Sequence, residues 1–72
     1  MKQYVVVRDE GTGEVELIGR FENGLGEIFE DGKWQSNGVI YSLQMDGLLE
    51  NISEAKASKL IAQKETEKLQ AA

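Results

Sequence analysis

Carboxylates are the most frequent reactive side chains of this chain, and several cluster near glycine pairs. Asp9, Glu10 and Glu14 surround Gly11 and Gly13, a grouping that offers oxygen ligands to a hard cation. The twelve-residue calcium-loop pattern with flanking helices is absent, so the three read as solvated turn residues. Glu22, Glu27, Glu30 and Asp31 form further acid pairs on paper. General acid–base work needs a cleft in which burial raises one carboxyl pKa, and a 72-residue domain has little volume for one. Gly11-Thr12-Gly13 and Gly24-Leu25-Gly26 each contain G-x-G but lack the third glycine and the following helix of a dinucleotide fingerprint. Both read as hairpin turns. Ser36, Ser42, Ser53 and Ser58 have no activating context, and the chain has no histidine to provide one. Without cysteine there is no disulfide framework and no thiolate metal site. The expectation is a non-enzyme without cofactor or metal.

The remaining chemistry is that of rings. Tyr4, Phe29 and Trp34 could stack bases on a sheet, but Glu16, Glu27 and Glu30 lie on or beside the same strands. With no cation among them a phosphate backbone finds no attraction, so protein contact is favoured over nucleic acid.

These residues are positioned by a run of short strands. Tyr4-Val5-Val6-Val7 is β-branched and aromatic, and Val15, Leu17 and Phe21 alternate with Glu14, Glu16 and Arg20. Asn23-Gly24 and Asp31-Gly32 are two-residue turn signals, because a type I′ turn needs positive φ at both central positions. They delimit a third strand from Leu25 to Glu30 and a fourth beginning at Lys33-Trp34-Gln35. Such turns fix the register: Arg20 faces Glu27, Glu30 faces Lys33, and Ile18, Phe29 and Trp34 form a row. The opposite face carries Val15, Leu17, Phe21 and Ile28, so the sheet needs covering on both sides. Val39, Ile40 and Leu43 fit a short helix ending before Asp46-Gly47, though Val39-Ile40-Tyr41 also fits a strand. This segment is a candidate cover for the row of rings. Ser53 reads as the N-cap of a final helix whose buried stripe is Ala57, Leu60 and Ile61. Residues 63–72 are polar enough to project or fray.

The fold expected is therefore α+β: an antiparallel meander of three or four strands, a short helical or irregular segment, and a C-terminal helix packed on one sheet face. All of it forms one small domain with sequence-local strand order. The net charge is −5, and residues 51–72 carry a slight positive balance against an acidic remainder. No stretch approaches the roughly 20 apolar residues of a membrane span, and no apolar leader opens the chain, so a cytoplasmic protein without membrane contact is expected.

The function expected is non-catalytic: an interaction domain that binds a protein partner or itself through an apolar sheet face. Ile18, Phe29 and Trp34 are the candidate contact residues, rimmed by Arg20 and Glu27. An exposed edge at the first or fourth strand is a second candidate, through strand addition. An acidic regulator that binds a basic protein surface or mimics nucleic acid is the alternative, and a small-molecule binder the next.

Overall fold

A computed structural model describes residues 2–71, with side-chain surroundings through residue 66. In chain order the elements are β1 (Lys2–Arg8), β2 (Val15–Glu22), β3 (Leu25–Glu30), β4 (Lys33–Ser36), α1 (Val39–Met45), β5 (Glu50–Ile52) and α2 (Glu54–Ala71). The strands form one antiparallel sheet in the order β4-β3-β2-β1-β5, with two helices, an α+β fold.

The two short turns do what their residues require. Asn23 and Gly24 have φ of 53° and 80°, and Asp31 and Gly32 have 54° and 80°, the left-handed values of type I′ turns. The pairings that follow are Glu22 with Leu25, Arg20 with Glu27, Glu30 with Lys33 and Phe29 with Trp34, as the sequence predicts. The longer β1–β2 turn is held by Asp9. Its Oδ1 accepts hydrogen bonds from the amides of Gly11 at 2.7 Å and Thr12 at 2.9 Å.

β5 departs from the expected meander. Glu50–Ile52 pairs with β1, placing Ile52 opposite Tyr4 and Glu50 opposite Val6. Three residues with one apolar side chain give no alternation to read; the strand is specified by the open edge of β1, not by its own pattern. Strand order is therefore not local throughout, and β1 lies inside the sheet. The edges are β4 and β5.

Alternation sorts the side chains onto two faces. Val5, Gly19, Phe21, Gly26 and Ile28 share one, and α1 covers it. Val39-Ile40-Tyr41 is the start of this helix, as the expected short helix requires, and its buried residue is Ile40. The Ile40 side chain fills a socket floored by two glycines. A Cβ on Gly19 would sit 2.5 Å from Ile40 Cδ1, and one on Gly26 would run into Ile40 Cγ2. Gly26 is thus a packing residue within β3, whereas Gly24 supplies the turn; the G-x-G reading as turn holds only for the first of the pair. Val5, Phe21, Ile28 and Ile40 form the core cluster, with Leu17 and Leu49 against it.

Val6 and Ile18 lie on the opposite face, both buried, where α2 returns across β1. The Ser53 hydroxyl accepts the Lys56 amide at 3.1 Å, the expected N-cap. Ala57 is buried, and Leu60 and Ile61 are half-buried. α2 continues to Ala71; the side chains from Glu67 on lie outside the described residues.

Candidate protein-contact surface

α2 meets the sheet at β1, which leaves its face of β2, β3 and β4 only partly covered. Register brings Arg20, Glu27, Phe29 and Trp34 together there, with Tyr4 of β1 alongside. Trp34 is the centre. Its ring lies 5.3 Å from that of Phe29, edge to face as aromatic quadrupoles favour, and 6.1 Å from that of Tyr4, tilted by 59°. The Arg20 guanidinium stacks on it, with Cζ 4.2 Å from the ring centroid. Arg20 Nε also donates to Glu27 Oε1 at 2.8 Å. Trp34 is therefore a half-buried ring held in place by neighbours on three sides. Leu25, on the same face at the start of β3, is 70% exposed.

Two of the three expected contact residues, Phe29 and Trp34, stand on this surface half-buried. Ile18 does not. It is 1% exposed, paired with Val6 on the face where α2 meets β1; it supports the row from below and presents nothing to a partner. Residues 39–49 do not cover the rings either, since α1 packs on the other face of the sheet. The stack of Arg20 on Trp34 escapes a sequence reading that places Arg20 only opposite Glu27. The diagonal lean of a large ring across its neighbour is set by side-chain packing, which strand periodicity does not encode. Arg20 also corrects the expectation that no cation lies among the rings, but its charge is engaged by Glu27.

Two of the carboxylates considered first as chemistry, Asp9 and Glu27, have structural work. Asp9 binds its own turn, and the Thr12 and then the Gly11 amide hold its carboxyl below the usual aspartate pKa. Glu27 pairs with Arg20, and Glu50 with Arg8 at 3.2 Å. No group of three metal-ligating side chains occurs among the described residues. No helix among them is long and apolar enough to cross a membrane. No protein-family model matches the chain, and no curated protein or solved structure matches it significantly.

One further contact was invisible in the sequence. Tyr41 Oη accepts the Gly26 amide at 2.7 Å and donates to the Gly24 carbonyl at 3.2 Å. β4 ends at Ser36, opposite Glu27, so Gly26 has no partner strand on that side, and the tyrosine supplies one. The mid-strand position of Gly26, where a bare backbone is open to close approach, was the available signal.

Proposed function

We propose that this chain is a non-catalytic interaction domain that binds another protein, or itself, through the uncovered part of the α2 face, with Phe29 and Trp34 as anchors. One observation supports this above the others: a half-buried tryptophan is pre-positioned by Tyr4, Phe29 and Arg20, on a sheet face that also carries the exposed Leu25 and that α2 covers only in part. Rigid aromatic anchors ringed by polar groups are the usual centres of binding energy in protein contacts. The test is Trp34→Ala. A half-buried ring with two aromatic neighbours should cost about 1–2 kcal/mol of stability, leaving cooperative unfolding intact while partner capture or self-association is lost. A loss of the fold itself would assign Trp34 to the core and end this reading.

A second reading, an acidic regulator of a basic protein, draws on the sheet's geometry. The β1–β2 and β3–β4 turns lie at the same end of an antiparallel sheet, so they gather Asp9, Glu10, Glu14, Glu30 and Asp31 there. Salt separates the two readings: affinity through the acidic end falls steeply with ionic strength, and affinity through the rings changes little.

A further inference from the structure

The surface just described runs without interruption to a free strand edge, and the two together define a way of binding. A two-residue hairpin places its flanking pair, Glu30 and Lys33, in the hydrogen-bonded position of the ladder. Bonded and non-bonded pairs alternate from there, so Ile28–Gln35 is bonded, whereas Phe29–Trp34 and Glu27–Ser36 are not. The N–H and C=O groups of Trp34 and Ser36 therefore point outward from β4, away from the sheet. The other edge is better defended. β5 has three residues, with the Glu50 side chain tied to Arg8 and that of Asn51 to Gln3. β4 carries no proline, its register with β3 is unbroken, and its single charge, Lys33, already faces Glu30.

Beside the outward groups of Ser36 lies a shallow recess lined by Glu22, Leu25, Glu27 and Ser36. Its chemistry is an exposed leucine between the Glu22 carboxylate and Glu27, whose charge Arg20 already meets, and the small Ser36 side chain leaves it open from the edge. An aliphatic stem carrying a positive charge is complementary to it. Two residues along β4 on the same face stands the Trp34 ring, complementary to an apolar side chain.

We propose that β4 accepts an added strand from a partner protein. The incoming segment is extended, hydrogen-bonds to the main chain of Trp34 and Ser36, sets an apolar residue beside the Trp34 ring, and sends a lysine or arginine two positions away over Ser36 toward Glu22. This rests on the contact-surface reading above and deepens it by naming the partner's conformation and sequence pattern, apolar–x–basic in either direction. A second copy of this chain fits less well, because its own β4, paired antiparallel, brings Trp34 or Ser36, not a cation, to the recess.

The probe is the acetylated, amidated heptapeptide Thr-Val-Thr-Lys-Thr-Val-Thr, which presents the pattern in both directions, titrated into the ¹⁵N-labelled full chain. The expected result is saturable movement of the Trp34 and Ser36 amide resonances, weakened at least tenfold when glutamate replaces the peptide's lysine. Ser36→Pro removes an outward N–H without touching the β3–β4 ladder, and should also weaken binding at least tenfold while the β1 and β2 resonances stay in place. Glu22→Lys, outside the β3–β4 ladder, should reduce affinity for the lysine peptide and improve it for the glutamate peptide. Peptide that leaves the β4 amides unmoved overturns the inference. If Ser36→Pro and Glu22→Lys both bind like the parent while Trp34→Ala does not, strand addition is overturned and the face contact stands. A concentration-dependent dimer of the peptide-free chain that Ser36→Pro abolishes would identify a second copy as the occupant, and would overturn the inference as well.

Discussion

At the scale of single residues, this protein places its smallest side chains where its largest contacts are. Gly19 and Gly26 have ordinary strand positions, and neither is among the glycines with positive φ. Their role is the absence of a Cβ. Ile40 is wholly buried because its two branches enter the space those atoms would fill. Overfilling such a socket should be costly, since Ile40 Cδ1, the Val5 side chain and the Glu27 carbonyl all crowd the same point over Gly19. Gly19→Ala is expected to destabilise the protein by about 1–3 kcal/mol, measured by urea denaturation, even though alanine is the better residue for an unstrained strand. Stability equal to or above the parent would show that α1 can shift to make room. In the sequence these glycines are legible only as interruptions of strand patterns. What they accommodate is a residue of a distant helix, and no local period reports that. The Asn23 and Asp31 turns are the opposite case: the residues, the backbone angles and the register follow from one another, so the hairpins were readable in full.

At the scale of elements, β1, β2 and β3 carry enough alternation to announce themselves, and α2 has a cap and a stripe. β5 has neither and exists because β1 offers it an edge. The β1–β2 turn joins local and long-range order, since it bridges the two strands with the longest shared ladder. Asp9 closes it with a charged acceptor. Because the folded chain holds this carboxyl below its ordinary value of 3.8, the folded state binds the proton more weakly than the unfolded one. The stability so gained is complete above the unfolded pKa and is lost as pH falls through the lower, folded value. A ¹³C titration of the side-chain carboxyls should find the Asp9 midpoint below 3.8, and Asp9→Ala should remove that part of the acid limb of the stability curve. A midpoint at or above the ordinary value would mean that the turn amides do not bind the carboxylate in solution.

At the scale of the whole molecule, a single sheet separates two small cores. Ile40 belongs to one, with Val5, Phe21 and Ile28; Ile18 belongs to the other, with Val6 and Ala57 buried on the same side or opposite it. The two isoleucines point away from each other across the sheet. Ile18→Val and Ile40→Val should each cost about 0.5–1.5 kcal/mol, and the double variant should match their sum within about 0.5 kcal/mol. A large deviation would reveal that the sheet transmits strain from one face to the other. The sequence already requires two covers, since apolar residues fall on both faces. It leaves open which helix goes where, because α1 and α2 both offer apolar stripes and only the connections through β5 assign them. That assignment decides the candidate site: α1 on the opposite face leaves Trp34 uncovered, and α2 over Val6 and Ile18 takes Ile18 out of reach.

The placement of β5 also governs the order in which the chain can be completed as it is made. β1 leaves the ribosome before the other strands of this sheet, yet its outer edge is closed only by Glu50–Ile52. Until those residues emerge, the nascent chain holds a valine-rich strand paired on one side and open on the other, next to Val6 and Ile18 with α2 still unmade. The same late segment that seals the edge leads directly into the helix that covers that face, so one event of synthesis removes both hazards together.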